Sequence, residues 1–244
     1  MYYFMYEMDM PGQRAYTHGD NSWILIKQCE CKSRRIENVE PIHFYIDGQP
    51  CVYYFVNNMV MVSERFYSFL KERNLTGFKF RNADAQRWHE SPRWNESRFK
   101  IEKKPEDLKY YEMVVTGRCG LLRNMSGIAM PHCKKCGRRL SHTGLCHNGV
   151  SFDPEAYDGS DIFAFDNLWN IPIVTEELRD AIIAQGFTNI RFVPLNEKVF
   201  DDTVPIHLIQ QWLNEGRAEK ILIEAWLENG IITPDMIPDK TAQE

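Results

Sequence analysis

Two stretches of the chain read alike: Met61-Val-Ser-Glu-Arg-Phe-Tyr-Ser-Phe-Leu-Lys-Glu-Arg-Asn-Leu-Thr-Gly-Phe-Lys-Phe80 and Ile173-Val-Thr-Glu-Glu-Leu-Arg-Asp-Ala-Ile-Ile-Ala-Gln-Gly-Phe-Thr-Asn-Ile-Arg-Phe192. They align without a gap at an offset of 112 residues, with Val62/Val174, Glu64/Glu176, Thr76/Thr188 and Phe80/Phe192 identical. In each, an apolar β-type pair leads into Ser63 or Thr175, whose hydroxyl can cap the free amides of a helix start. Glu64 or Glu176 follows in the first turn, where the helix dipole favours negative charge. Apolar residues then recur at helical spacing, as Phe66, Phe69 and Leu70 in one stretch and Leu178, Ala181 and Ile182 in the other. Asn74 and Gly186 stand at the helix exits, the residue types that best tolerate a left-handed backbone. Short strands, Phe78–Phe80 and Ile190–Phe192, close the two units. The expectation is an α+β protein with two tandem strand–helix–strand repeat units in a mixed or antiparallel sheet.

Working outward, the likeness continues upstream more weakly. Cys29-Glu-Cys31 precedes the first unit and Cys133-Lys-Lys-Cys136-Gly137 the second. Each is followed by an Asp-Gly pair and an aromatic apolar segment, Tyr53–Val56 or Ile162–Phe165. Arg81–Lys104, rich in Arg, Trp and Glu, reads as a long loop, and Tyr110–Thr116 as a strand. Beyond the repeats, Pro205–Glu215 and Arg217–Asn229 carry apolar residues at helical spacing with Gly216 and Gly230 at their exits, a helical hairpin. The expected organisation is 1–104, an N-terminal repeat half with the Arg/Trp loop; 105–195, a C-terminal half with the cysteine knuckle; and 196–244, an acidic hairpin. From residue 196 onward there are ten acidic and four basic residues, so this segment outweighs the whole chain's net charge of -5.

Composition narrows the function classes. The 244 residues include 43% hydrophobic and 26% charged residues, values of an ordinary globular protein. The acidic balance disfavours a general nucleic-acid binder, and no apolar run reaches the length of a membrane helix. The N-terminus lacks a basic region and a small-residue cleavage site. A soluble cytoplasmic protein is expected.

The sharpest chemical signal is Cys133-x-x-Cys136-Gly137. Two thiolates on a tight turn can reach one ion, and the glycine lets backbone amides point at sulfur. Such a knuckle is half a site. One completion is local, Cys146 with His147 or His142. The other draws on the first half, giving a four-thiolate site of Cys29, Cys31, Cys133 and Cys136 that clamps the halves with a structural zinc. A third reading leaves the four thiols buried without metal. A catalytic variant holds zinc on Cys133, Cys136 and one more ligand, with a water position open and a histidine such as His142 or His147 as base. No nucleophile elbow, phosphate loop, dinucleotide fingerprint or zinc-protease motif is present. The hairpin offers Trp212, Glu215, Glu219, Glu224, Trp226 and Glu228 as a partner-binding face, and the Arg/Trp loop offers Trp88 and Trp94 as a second.

The paired cysteine motifs, Asp161-Ile-Phe163, Ile173-Val-Thr-Glu176 and Asn189-Ile-Arg-Phe-Val-Pro194 together resemble the bacterial double-CXXCG-motif proteins and the related immunity domains first noticed in myxobacteria. The resemblance covers the second half well and the first half loosely, departing where Cys29-Glu-Cys31-Lys-Ser33 replaces the CXXCG pattern. It implies a cytoplasmic immunity protein, not an enzyme, that binds and neutralises a cognate bacterial toxin. An acidic inhibitor would be steered onto a basic toxin and cover its active site. No nucleic acid or membrane enters as a partner. An adaptor with a non-toxic partner is the remaining alternative.

Overall fold

The structure is a computed structural model that describes residues 1–8, 13–16, 23–31, 34–87 and 108–238. The first half contributes β1 (Tyr2–Glu7), β2 (Gln13–Tyr16), β3 (Trp23–Gln28), β4 (Arg34–Asn38), β5 (Ile42–Gly48), β6 (Tyr53–Val56), β7 (Met59–Ser63), α1 (Glu64–Glu72) and β8 (Phe78–Arg87). Next come β9 (Lys109–Val115), β10 (Gly117–Arg118), β11 (Arg123–Asn124), β12 (Cys146–Asn148) and β13 (Val150–Ser151). The chain continues with β14 (Ile162–Phe165), β15 (Leu168–Thr175), α2 (Glu176–Ala184), β16 (Ile190–Pro194), β17 (Val199–Asp201), α3 (Ile206–Asn214) and α4 (Lys220–Glu228). The class is α+β, dominated by sheet.

One sheet has six strands in the order β2-β5-β8-β9-β7-β6, and a second has five in the order β10-β14-β15-β1-β16. Most pairings are antiparallel; β5–β8 and β10–β14 are parallel. The β3–β4, β11–β13 and β12–β17 pairs form separate ribbons.

Local chemistry sets the helix boundaries. The Ser63 hydroxyl accepts from the Phe66 amide and the Thr175 hydroxyl from the Leu178 amide, at nearly the same backbone angles (φ -68, ψ 160 and φ -68, ψ 161). Each cap satisfies an amide that the helix itself cannot. Past the exits the backbone turns left-handed, at Asn74 with φ 53 and Gly186 with φ 66.

The two sheets face each other across a shared core. Val62, Phe66, Leu70 and Met113 meet Tyr3, Met5, Val174, Leu178 and Ile182 there, nearly all without exposed surface. The six-stranded sheet curls so that β2 approaches β6, enclosing Ile42, Phe44, Ile46, Tyr54 and Met61. The outer face of the five-stranded sheet packs Phe4, Phe163, Phe165 and Ile173 under Cys119, Leu122, Val150 and Leu195. Truncating a buried phenylalanine such as Phe66 in a core of this kind costs about 3–5 kcal/mol. Ile209, Leu213, Trp226 and Ile232 form a separate cluster between α3 and α4.

One expectation changes. Arg81 to Arg87, read as the start of a loop, continue β8, because β8 is paired on both sides, to β9 and to β5. Residues 88–104 lie outside the described residues. The segments 1–104 and 105–195 also interlock: β1 lies between β15 and β16 and so completes the sheet of the later segment.

Candidate metal centre

The segment around Cys133 and Cys136 folds as a knuckle. The Cys133 amide donates to the Arg138 carbonyl at 2.9 Å and the Gly137 amide to the Cys133 carbonyl at 2.7 Å. An antiparallel bridge between His132 and Arg139 closes its base. Gly137 sits at φ 76, a conformation that glycine adopts without the steric cost of a Cβ. The amides of Cys136 and Lys135 then aim at the Cys133 sulfur, and that of Arg138 at the Cys136 sulfur.

Cys29 and Cys31 come from the tip of the ribbon in which β3 pairs with β4. The Cys29 and Cys133 sulfurs are 3.8 Å apart, and those of Cys31 and Cys136 are 3.6 Å apart. All four sulfurs lie within 4.8 Å of one another, so they can hold a metal ion. A tetrahedral ion bound to thiolates at about 2.3 Å has sulfur–sulfur edges of about 3.8 Å. The Cys29–Cys133 and Cys31–Cys136 pairs have about that spacing. Cys133 is buried, Cys29 and Cys31 are half-buried, and Cys136 is exposed.

The thiol electrostatics follow from this arrangement. Burial pushes the Cys133 thiol up, but the amides of Cys136 and Lys135 and the thiols of Cys136 and Cys31 outweigh it and bring it down to about 7. Cys136 is held above the usual thiol range, chiefly by burial. A thiol with amides directed at it is prepared to serve as a thiolate ligand.

Ion pairs brace the knuckle on several sides. Lys135 pairs with Glu30 between Cys29 and Cys31. Lys134 reaches Glu228 of α4 at 2.9 Å, Arg138 reaches Glu219 at 3.6 Å, and Arg139 pairs with Asp202 beyond β17. The helices also dock directly: the Trp226 indole donates to the His142 carbonyl at 2.9 Å, and the His142 ring lies edge-on to Trp212. This bracing joins residues 63 to 105 positions apart and leaves no motif in the sequence. Its only signal was the complementary charge of the knuckle and the acidic C-terminal segment.

Among the described residues, the thiols brought together are Cys29, Cys31, Cys133 and Cys136. Cys146 is exposed on β12, its thiol donating to Asn148 Oδ1 at 4.0 Å. His132 bonds the Met130 carbonyl, and His147 lies opposite Phe200 in the β12–β17 ribbon. The four glutamates 215, 219, 224 and 228 are exposed. Glu219 and Glu228 already engage the knuckle, and Glu215 pairs with Arg217. Trp212 is half-buried against Trp226. Trp226 has no exposed surface, so it belongs to the core between the helices and does not present itself to a partner. Trp88 and Trp94 lie outside the described residues. No helix among the described residues is long and apolar enough to cross a membrane. Compared with known proteins, the chain matches no family model and no curated sequence.

Proposed function

We propose that the chain is an immunity protein that binds a cognate bacterial toxin and covers its active site, with zinc on the four cysteines as a structural lock. The observation that supports a structural role for the zinc is the closed donor set. Four thiolates fill a tetrahedral zinc, whereas a hydrolytic zinc keeps a position open for water. The histidines considered as bases or replacement ligands, His142 and His147, stand outside the set. The chemistry therefore favours a scaffold over a zinc enzyme.

In this proposal the acidic helical hairpin supplies the binding face. Glu219 and Glu228 brace the knuckle, whereas Glu224 and Glu215, the latter paired with Arg217, do not. Their charge would steer a basic toxin, and the exposed part of Trp212 would anchor it.

The test is affinity capture of the tagged chain from its own host, followed by expression of any stoichiometric partner alone. A partner that kills cells alone and spares them beside this chain supports the proposal. Capture of a harmless partner overturns it in favour of an adaptor. The double variant E215K/E224K should weaken toxin binding at least tenfold with metal content unchanged; unaltered binding removes the hairpin from the interface.

A further inference from the structure

We infer that residues 1–87 and 108–194 are two copies of one unit, fused in tandem, that have exchanged their first strands. The first copy opens with β1, Tyr2-Tyr3-Phe4-Met5, and the second with β9, which carries Tyr110-Tyr111-Glu112-Met113. Neither strand lies in its own copy's sheet. β9 fills the space between β7 and β8, and β1 the space between β15 and β16.

The registers match residue for residue. Tyr110 pairs with Ser63 and Met113 with Phe80 in one sheet; Tyr2 pairs with Thr175 and Met5 with Phe192 in the other. The contacts beside these strands match as well. The Tyr111 hydroxyl donates to Glu64 at 2.7 Å, and the Tyr3 hydroxyl to Glu176 at 3.2 Å. A cation completes each arrangement: Lys109 lies 2.8 Å from Glu64, and the Met1 ammonium 3.2 Å from Glu176. Over the tyrosine rings lie Tyr67, stacked at 4.2 Å, and the Arg179 guanidinium at 4.1 Å.

Where the exchanged strands leave the sheets, the Thr116 amide donates to the Gly77 carbonyl and the Met8 amide to the Asn189 carbonyl, both at 2.8 Å. Gly77 and Asn189 both hold positive φ, 89 and 57. A Cβ on Gly77 would collide with the Ile162 carbonyl at the start of β14. Asn189 instead directs its side-chain amide to the Tyr53 carbonyl, at the start of β6. Thus a left-handed residue of each copy meets the first residue of the other copy's hairpin.

Because the exchange is reciprocal, it closes on itself as a two-fold pair does. The cysteines are compatible with the same relation, since counterparts meet within one cluster: Cys29 lies 3.8 Å from Cys133 and Cys31 3.6 Å from Cys136. The metal centre therefore sits where the copies are related. Both exchanged strands are central in their sheets, so neither sheet is whole without both copies.

The test begins with the full-length chain, carrying a specific protease site between residues 88 and 107, cut after folding. The two fragments should elute together at the size of the uncut chain and unfold in one transition. They should still do so with Cys133→Ser, because strands and not metal hold them. Separation under native conditions, or two unfolding transitions, overturns the inference. Hydrogen exchange on the unaltered chain provides a second check that does not depend on the inserted site. The β1 amides should exchange in the slowest class with those of β15 and β16; fast exchange confined to β1 would also overturn it.

Discussion

Between β7 and β8, strand β9 sets Glu112 opposite Met61 and Arg81; between β15 and β16, strand β1 sets Phe4 opposite Ile173 and Val193. Glu112 forms an ion pair with Arg81, Nε to Oε2 at 2.6 Å, with side chains only 8% and 10% exposed. Phe4 has no exposed surface and lies among the rings of Tyr6, Phe165 and Phe200. One backbone position thus holds a buried charge in one sheet and an aromatic ring in the other. The difference lies in what covers each sheet. The first curls over its own outer face. The second is roofed by residues from β10 to β17 and carries the cysteine knuckle beyond them. Similar strand–helix–strand frames accept different fillings where their surroundings differ.

The comparison breaks most visibly at the cysteines. If the two pairs share one ion, serine at Cys29 should be as damaging as serine at Cys133, although one stands in a C-x-C and the other in a C-x-x-C-G. Structural zinc in small domains is worth on the order of 10 kcal/mol. Only part of that is at stake here, because the two sheets have cores of their own. The expected result is one zinc per chain by metal analysis, lost in either variant, with a large fall in melting temperature that chelator reproduces in the parent. Metal retained at full occupancy in Cys29→Ser would restrict the site to the second pair.

The next effect belongs to the contrast between charge and ring. Removing one partner of a buried pair, as in Glu112→Ala, should cost about 3–5 kcal/mol in denaturant unfolding. Replacing both Arg81 and Glu112 with leucine should restore most of that loss, making the first sheet resemble the second. A double variant as unstable as the single would mean that the curled sheet requires the charges. A smaller effect tests the shared helix starts. Ser63→Ala and Thr175→Ala should each cost about 1 kcal/mol, and together their sum within about 0.5 kcal/mol.

Much of this frame was legible in the residues. Ser63 and Thr175 cap helices because a hydroxyl at that position serves the amide three residues on, a local relation that sequence carries. Hydrophobic spacing likewise placed β6, β14 and the four helices within a few residues. Arg81–Arg87 was misread because a paired strand with polar side chains looks like a loop until its neighbours are known. The placement of β1 was invisible, since nothing in Tyr2-Tyr3-Phe4-Met5 names a partner strand more than 160 residues away. The thiols of Cys29 and Cys31 carried only a spacing. Their meeting with Cys133 and Cys136 depends on the fold between them.

The smallest effect is electrostatic and bears on whether the chain's own ammonium takes the part of a lysine. Glu64 is held below the usual carboxylate range by hydrogen bonds from Lys109 and then Tyr111. Glu176 is held low by the Met1 ammonium first, with Tyr3 and Arg179 adding to it. A carboxylate whose folded value is depressed contributes stability that is fully present above its unfolded value, about 4.3 for glutamate. That contribution is lost as the pH falls through the folded value. Stability should therefore decline on acidification below about pH 5, with Asp158 and Asp201 adding to the slope. Glu64→Gln and Glu176→Gln should each flatten that decline by a similar small amount, less at high salt because both carboxylates are partly exposed. Blocking the N-terminal amine by acetylation should reproduce part of the Glu176→Gln effect and leave the Glu64→Gln effect unaltered. If acetylation changes nothing while Lys109→Met flattens the slope, the ammonium only lies near Glu176, and the correspondence between the two sheets ends at the tyrosine hydroxyl.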